Sequence, residues 1–243
     1  MFLPKALDNL LDRSLRAAGY ALIRREHLSL SLDRRVRLLS ARGVDLVLDV
    51  GANEGQYGKA MRKLGYRGRI ASFEPMQRAY AVLSSTAEPD GNWQTYPFAL
   101  GDEQSLHEIH VSENSVSSSL LPMLSDHEKY APHSRYVGTE RVEVRRLDDM
   151  FTDVRGAARH IWLKLDVQGF EDRVLRGAAN SLKSIEFIQV ELSLRPLYEG
   201  QKTYRELAAD IEQHGFILVG VEPGFLDRDT GELLQMDGIF RKV

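Results

Sequence analysis

Residues 46–55 read LVLDVGANEG, a mainly apolar run of five residues followed by a turn that contains two glycines. A short run of this kind is typical of a strand that is buried on both faces of a parallel sheet. Glycine lets the backbone turn sharply and approach a ligand closely. Because ligands of open α/β sheets bind beyond the carboxyl ends of the strands, this stretch predicts both the fold class and one wall of a binding site.

The rest of the chain continues this alternation of strands and helices. Further strands are predicted at 69–73, 93–98, 161–167, 187–192, 216–221 and 233–240, and helices at 55–64, 76–86, 170–182 and 204–214. Strands that alternate with helices form right-handed units and give a mainly parallel sheet. No helical pattern separates the last two strands, so we expect an antiparallel pair at one edge of the sheet. The pair Asp237-Gly238 is expected to interrupt the last strand.

Residues 102–150 depart from this rhythm and are predicted to be an insert. Residues 105–111 and 140–146 alternate between apolar and polar side chains, as exposed strands do, and residues 112–138 between them are rich in Ser, His and Pro. A long irregular loop in a compact domain is usually functional or disordered. We expect this one to be a lid on the substrate side of the predicted binding site.

The histidines show no spacing typical of a metal site. His127 and His133, both in the irregular loop, are candidates for lining a substrate pocket. The favoured interpretation of each is a solvent-exposed loop histidine, and His133 is retained as a candidate substrate residue.

Residues 1–43 form a basic segment with nine Lys or Arg and four Asp or Glu, whereas the rest of the chain is acidic. Apolar residues recur at helical spacing in residues 4–18, and a second helix is predicted at 33–41. We therefore divide the chain into an N-terminal helical extension, residues 1–43, and one domain, residues 44–243. The apolar stripe of the first helix is expected to pack on the domain, on a second subunit in a homodimer, or at a membrane surface, in decreasing order of preference.

The composition of the 243-residue chain excludes several classes of protein. The absence of Cys excludes disulfide frameworks, thiolate metal sites and cysteine nucleophiles. No apolar run approaches the roughly 20 residues that span a bilayer, and charges interrupt the N-terminal apolar pattern, so we expect a cytoplasmic protein. The net charge of −3 arises from an acidic main body, which argues against a nucleic-acid partner.

The turn after the first strand restricts the kind of ligand. Asn53 stands where a dinucleotide-binding fingerprint has its middle glycine, and no Gly-Lys-Ser/Thr sequence follows. These differences favour a nucleoside without a diphosphate, with a plain tight turn as the alternative. Glu74 ends the second strand, where a carboxylate accepts hydrogen bonds from both ribose hydroxyls. Its alternative role is to cap the following helix.

Two further carboxylates are predicted at the same edge of the sheet. Asp166 ends the fourth strand of the main sheet and Glu191 ends the fifth. Neighbouring carboxylates supply a general base, or they hold a divalent cation such as Mg²⁺ through oxygen ligands. A salt bridge between Glu191 and Arg195 is a third interpretation. Glu171 is interpreted as a helix cap or a catalytic group. For Lys164, pairing with a carboxylate is preferred over a catalytic role.

Six segments follow one another in a characteristic order. They read VLDVGANEGQYG (47–58), SFEP (72–75), FALGDEQ (98–104), SVSSSL (115–120), IWLKLDVQGFEDRVLRGA (161–178) and VELSLRPLYEG (190–200). Together they resemble the FkbM family of S-adenosylmethionine-dependent methyltransferases. The first segment is common to many class I methyltransferases, whereas KLDVQGFE with the preceding SSSL is much more specific. The resemblance runs from about residue 47 to residue 243.

The resemblance implies a Rossmann-like class I methyltransferase fold with seven strands, the last of them antiparallel. It also implies S-adenosylmethionine as cofactor and a hydroxyl of a sugar, glycolipid or polyketide product as the methyl acceptor. The residues expected to bind the cofactor are Asp49, Gly51, Asn53, Gly55, Tyr57, Glu74, Ala99 and Leu100. Among them, Glu74 would hold the ribose, and Ala99 and Leu100 would flank the adenine. Ser119 in the fourth segment is a further candidate substrate residue.

Two other functions remain open from the sequence. An NAD-dependent oxidoreductase is opposed by the absent G-x-G-x-x-G fingerprint. A non-catalytic nucleoside-binding module is opposed by the presence of both Asp166 and Glu191. We therefore predict an S-adenosylmethionine-dependent O-methyltransferase that acts on a small molecule, with Asp166 and Glu191 as its catalytic residues. They bind Mg²⁺ only if the enzyme uses a divalent cation.

Overall fold

The protein is built on a central sheet of seven strands with helices on both faces. The computed structural model describes residues 31–243, with all side chains except those of residues 31–33 and 126. The helices are α1 (Ser31–Ala41), α2 (Gln56–Lys63), α3 (Gln77–Ala87), α4 (Ser125–Tyr130), α5 (Leu147–Arg155), α6 (Glu171–Gly177) and α7 (Tyr204–Gln213). The strands are β1 (Leu46–Val50), β2 (Arg69–Phe73), β3 (Trp93–Tyr96), β4 (Ala99–Leu100), β5 (Ser105–Ser112), β6 (Tyr136–Arg145), β7 (Ile161–Leu165), β8 (Phe187–Ser193), β9 (Phe216–Pro223) and β10 (Gln235–Lys242). None of the helices within residues 31–243 is long and apolar enough to cross a membrane.

The strands of the main sheet lie in the order β3-β2-β1-β7-β8-β10-β9. β1 pairs in parallel with β2 and β7, and β7 pairs in parallel with β8. β10 is antiparallel to both β8 and β9. This topology confirms the predicted Rossmann-like class I methyltransferase fold with an antiparallel last strand.

The last strand differs in detail from the prediction. β9 and β10 form the expected antiparallel pair, but β9 is the edge strand and β10 lies between β8 and β9. The predicted interruption at Asp237 and Gly238 is wrong, because β10 continues through both residues. A Cβ atom on Gly238 would lie 2.6 Å from Cδ1 of Leu192. The glycine therefore makes room for a neighbouring side chain and does not mark a turn.

Alternate residues of β1 enter two separate cores, one on each face of the main sheet. Leu46 and Leu48 belong to a buried cluster that includes residues of α5, α6 and α7. Val47 belongs to a second cluster that includes residues of α1, α2 and α3. Full burial of such a side chain stabilises the fold by about 1.5–3 kcal/mol. Burial on both faces explains the nearly continuous apolar run of this strand.

The insert between β3 and β7 carries a second, three-stranded sheet of order β4-β6-β5. β5 and β6 pair in antiparallel register, which confirms the two exposed strands predicted there. The loop between them contains α4 and a 3₁₀ turn, Pro132–Ser134. Helix α5 was not predicted. Its buried residues Leu147, Phe151 and Val154 lie four and three residues apart, which is the helical signal that the sequence contains.

The described part of the N-terminal extension packs against the domain. Helix α1 confirms the helix predicted at 33–41, and its Leu39 is buried in the core beside α2 and α3. Nη1 of Arg34 donates a hydrogen bond to the carbonyl of Val221 in β9 at 2.8 Å. The helix predicted at residues 4–18, with its apolar stripe, lies outside the described residues.

Candidate active site

A cavity of about 400 Å³ opens at the carboxyl ends of β1, β2 and β7. Its size is typical of small-molecule sites, which range from about 300 to 1,000 Å³. Its walls come from the turn after β1, the end of β2, the insert and the loop after β7. The residues that were predicted for the site and line the cavity are Gly51, Asn53, Tyr57, Glu74, Ala99, Leu100, Ser119 and Asp166.

The turn after β1 depends on Gly51. This residue has a φ of +75°, and a Cβ atom on it would lie 1.9 Å from the carbonyl oxygen of Asp166. The backbone amide of Asp166 in turn donates to the carbonyl of Val50 at 3.2 Å. Glycine is therefore required at position 51 both for the backbone conformation and for the close approach of the loop after β7.

Glu74 is buried and receives two backbone hydrogen bonds. The amide of Asn53 donates to Oε2 at 2.8 Å, and the amide of Met76 donates to Oε1 at 2.9 Å. Burial raises the pKa of Glu74 to about 7, although both hydrogen bonds oppose this change. A carboxylate has about four acceptor positions, so two remain for donors in the cavity. Glu74 can therefore hold the backbone amide just before α3 and bind a ligand at the same time.

Lys164 lies buried in β7 between two carboxylates. Its Nζ atom is 3.2 Å from Oδ1 of Asp49 and 3.6 Å from Oδ2 of Asp166. Burial alone would lower the pKa of Lys164, but the two carboxylates outweigh burial and raise it. This is the carboxylate pairing predicted for Lys164. Asp49 itself is fully buried and does not line the cavity, so it acts on the site through Lys164.

Asp166 and Glu191 are linked by the side-chain amide of Gln168. Nε2 of Gln168 donates to Oδ1 of Asp166 at 2.8 Å and to Oε2 of Glu191 at 3.1 Å. The side chain of Asp166 is 41% exposed and lines the cavity, whereas Glu191 lies behind it. Burial raises the pKa of Glu191 well above its usual value, and the charges of Asp166 and Glu171 raise it further.

Gln168 is a central residue of the site that the sequence analysis did not identify. Its backbone has a φ of +54°, a conformation that non-glycine residues seldom adopt. Oε1 of Gln168 accepts a hydrogen bond from the hydroxyl of Tyr198 at 2.7 Å, and its carbonyl accepts one from the hydroxyl of Ser119 at 2.6 Å. The hydroxyl of Ser119, a candidate substrate residue, is therefore used to join the insert to the loop after β7.

Glu171 holds the backbone of the loop after β7 through hydrogen bonds. It is buried and accepts hydrogen bonds from the amides of Val167 at 3.0 Å and Gly169 at 3.2 Å. Burial raises its pKa to about 7. The salt bridge considered between Glu191 and Arg195 is not formed, because Arg195 pairs with Glu232 at 2.8 Å.

Besides Asp49, three predicted residues do not line the cavity. Gly55 is the N-cap of α2, and a Cβ atom on it would face Leu83 and Trp93 in the core. Glu191 contacts the site only through Gln168, as described above. The side chain of His133 is 85% exposed on the outer surface of the loop.

His127, the other loop histidine, was predicted to be exposed, but the structure shows that it is buried. Its ring stands edge-on to the ring of Tyr198, with 5.2 Å between the centroids. Burial lowers the pKa of His127 to about 4, so the ring is neutral at pH 7. The residue therefore packs beneath the loop and supports Tyr198, the hydrogen-bond partner of Gln168.

Among the side chains that the structure describes, no three His, Cys, Asp or Glu residues form a group that could hold a metal ion. The magnesium alternative therefore depends on Asp166 and Glu191, and both of these carboxylates already accept hydrogen bonds from Gln168. Two carboxylates are a sparse ligand set for a hard cation, which usually takes six or more oxygen ligands.

A model of the family described as "Methyltransferase FkbM domain" matches residues 49–218. The match covers more than half of the chain and includes the turn after β1, Glu74 and Asp166. The chain belongs to the FkbM methyltransferase family. Two residues that line the cavity of this FkbM methyltransferase, Arg35 in α1 and Asp237 in β10, lie outside the matched range.

The FkbM methyltransferase is similar to the 2-O-methyltransferase NoeI of Sinorhizobium fredii (strain NBRC 101917 / NGR234). The two sequences are 28% identical over 217 residues. The similarity covers 86% of this chain and 89% of the relative, so it extends well beyond the turn after β1.

Two solved structures are similar to the FkbM methyltransferase at low sequence identity. The magnesium protoporphyrin IX methyltransferase ChlM of Synechocystis PCC 6803, solved with bound S-adenosylmethionine, is 9% identical, with a TM-score of 0.48 and coverage of 100% of this chain and 99% of that chain. A TehB-like S-adenosylmethionine-dependent methyltransferase of Corynebacterium glutamicum is 14% identical, with a TM-score of 0.44 and coverage of 99% and 100%.

Proposed function

We propose that this FkbM methyltransferase uses S-adenosylmethionine to methylate a hydroxyl group of a sugar, glycolipid or polyketide-type acceptor. The observation that carries the proposal is Glu74, a buried carboxylate at the end of β2. It lines the cavity, and its oxygens can accept further hydrogen bonds. The similarity to a relative named as a 2-O-methyltransferase supports oxygen as the methylated atom.

The residues of the cavity fit a nucleoside cofactor of this kind. Gly51 leaves space where a Cβ atom would collide with the carbonyl of Asp166. Glu74 would accept hydrogen bonds from the ribose hydroxyls, because its carboxylate is held in place by two backbone amides. Ala99 and Leu100 would form an apolar wall for the adenine ring.

When bound, S-adenosylmethionine would supply a methyl group on a positively charged sulfur; the acceptor oxygen would attack the methyl carbon in line as the carbon–sulfur bond breaks. The protein has to hold the acceptor oxygen in line with that bond, and positioning of this kind accounts for about 7–11 kcal/mol of a barrier. A sugar hydroxyl is a weak nucleophile and needs a base. Asp166 lines the cavity and would accept the hydroxyl proton, while Gln168 and Glu191 hold its carboxylate in place.

The proposal is tested by measuring the melting temperature with S-adenosylmethionine, S-adenosylhomocysteine or NAD. We expect the first two ligands to raise the melting temperature of the wild-type protein and NAD to leave it unchanged, because ligand binding stabilises the folded state. The Glu74→Ala variant should lose most of the increase. Stabilisation by NAD without stabilisation by S-adenosylmethionine would point to an oxidoreductase instead.

A further inference from the structure

The cavity continues from the nucleoside side into a second region beneath helix α1. The residues that define this region, the polar end of the cavity, are Arg35, Tyr57, Lys164, Gln189 and Asp237. Arg35 and Asp237 both lie outside residues 49–218, the range that the family model matches. The sequence analysis did not identify Arg35, Gln189 or Asp237.

Arg35 pairs with two carboxylates. Its Nε atom donates to Oε2 of Glu222 at 2.9 Å, and Nη2 lies 3.1 Å from Oδ2 of Asp237. The guanidinium group also lies over the ring of Tyr57, 5.7 Å from its centroid. Because α1 places this cation between β9 and β10, Arg35 closes the wall of the cavity without offering a free positive charge.

Gln189 and Asp237 retain hydrogen-bonding capacity toward the cavity. Oε1 of Gln189 accepts the hydroxyl of Tyr57 at 2.9 Å, and its Nε2 group donates to no residue in the described part of the chain. Asp237 uses Oδ2 for Arg35, and its Oδ1 atom likewise accepts no side-chain hydrogen bond from residues 34–243. The polar end therefore presents an amide donor and a carboxylate acceptor, a combination that suits hydroxyl groups.

The charges around the polar end disfavour an anionic ligand. Lys164 pairs with Asp49 and Asp166, and Arg35 pairs with Glu222 and Asp237. Both cations of this region are thus matched by two carboxylates each. An acidic group that enters would meet excess negative charge in a partly buried space, where Coulomb repulsion is poorly screened.

We propose that Gln189 and Asp237 are specificity-determining residues that bind hydroxyl groups of a neutral, polyhydroxylated acceptor and that the polar end rejects acidic acceptors. The inference rests on the proposed function, because it assigns the acceptor to this end of the same cavity. It extends the proposed function by naming the residues that select the acceptor and the charge that they select.

The test compares neutral methyl glycosides with the matching methyl uronides, in which a carboxylate replaces one hydroxymethyl group. Each pair is assayed with wild-type enzyme, Asp237→Asn, Gln189→Met and the control variant Glu232→Gln, which breaks only the exposed ion pair with Arg195. The readouts are kcat and KM for each acceptor, the affinity for S-adenosylmethionine by calorimetry, and the melting temperature.

We expect wild-type kcat/KM to favour the neutral member of each pair by at least about tenfold, because like charges repel in the polar end. Asp237→Asn should raise the KM for neutral acceptors and reduce the preference over the uronide by about tenfold, because it removes one negative charge. Gln189→Met should raise the KM for neutral acceptors and leave the preference unchanged. Neither variant, nor the control, should change the affinity for S-adenosylmethionine by more than about twofold.

Equal use of neutral and acidic acceptors by the wild-type enzyme would overturn the inference, and this result does not depend on any variant folding. A weakened affinity for S-adenosylmethionine in Asp237→Asn, with unchanged acceptor KM, would also overturn it by assigning the polar end to the cofactor. Failure of the wild-type enzyme to methylate any glycoside in the panel would instead defeat the proposed function. The two failures are therefore distinguishable.

Discussion

Nε2 of Gln168 donates a hydrogen bond to Oδ1 of Asp166 at 2.8 Å, from a residue whose own backbone has a φ of +54°. The same amide reaches Glu191, which lies behind Asp166 and away from the cavity. This arrangement gives the two carboxylates different roles. Asp166 faces the space where an acceptor would bind, and Glu191 fixes its position through the amide.

The first prediction compares the two carboxylates. Asp166→Asn should lower kcat by about 10²–10⁴-fold, because an amide cannot accept the hydroxyl proton. Glu191→Gln should lower kcat by only about tenfold, because its new carbonyl oxygen can still accept the hydrogen bond from Gln168. Steady-state kinetics at saturating S-adenosylmethionine measure both effects. Full activity in Asp166→Asn would show that positioning alone drives the transfer.

The same kinetics, repeated with EDTA and with added Mg²⁺, test the metal alternative. We expect activity to survive EDTA, because two carboxylates that share an amide donor are a sparse ligand set. Loss of activity with EDTA and its recovery with Mg²⁺ would reassign Asp166 and Glu191 as metal ligands.

The second prediction concerns the amide that joins them. Gln168→Glu should place a third carboxylate beside Asp166 and Glu191, so that like charges oppose their ionisation. The acidic limb of the pH profile of kcat/KM should move upward by about one pH unit or more. Gln213→Glu, at an exposed position in α7, provides the control and should leave the profile unchanged. An unshifted profile in an active Gln168→Glu enzyme would mean that the amide does not control the base.

The third prediction concerns Glu74 and cofactor affinity. Glu74→Ala should weaken S-adenosylmethionine binding by about ten- to a hundredfold, because charge-assisted hydrogen bonds to the ribose are lost. Glu140→Ala is a matched control, since Glu140 also holds a backbone amide at the start of α3, at 2.8 Å, but does not line the cavity. Calorimetry that finds equal affinity in the wild-type protein and a folded Glu74→Ala variant would refute the ribose assignment.

Glu74 also predicts the pH dependence of binding. Burial raises its pKa to about 7 in the free protein, and ribose hydroxyls donate best to the ionised form. Acidification from pH 8 to pH 6 should therefore weaken S-adenosylmethionine binding by about tenfold, because the carboxylate becomes protonated below its pKa. The Glu74→Ala variant should lack this pH dependence, and a wild-type affinity that is constant over this range would contradict the role of the ionised carboxylate.

Much of the cavity wall that follows β1 and β2 could be predicted from the sequence because its residues lie in local patterns. Gly51 directly follows β1 and Glu74 directly follows β2, and each strand can be recognised from its own apolar run. Parallel strands bring such ends together. The core positions of β1 follow from the same run. Local sequence was therefore sufficient for the part of the site built by the first two strand–turn units.

The rest of the site depends on contacts between distant parts of the chain. Arg35 meets Glu222 and Asp237 across almost the whole sequence, and only the insertion of β10 between β8 and β9 brings these groups together. Gln168 gains its role from Tyr198, which follows another strand. No local pattern marks an amide or a cation for such a role, since its partners are set by the tertiary fold.

The fourth prediction concerns the loop at residues 112–138. Ser115 in this loop accepts a hydrogen bond from Nδ2 of Asn53 at 3.2 Å, and both residues line the cavity. If the loop is a lid, limited proteolysis should cut it readily in the free protein and several-fold more slowly with cofactor and acceptor bound. Cleavage in the exposed loop at 224–233 serves as the internal control. Equal cleavage of residues 112–138 in both states would refute the lid.

Product mass spectrometry measures directly whether the enzyme transfers a methyl group from S-adenosylmethionine to a hydroxyl oxygen. The enzyme is incubated with S-adenosylmethionine carrying a deuterated methyl group and with a panel of glycosylated acceptors. We expect an acceptor that gains one labelled methyl group on oxygen, with an equal amount of S-adenosylhomocysteine. A folded protein that binds S-adenosylmethionine but labels no hydroxyl, or that labels nitrogen or carbon instead, would contradict this expectation.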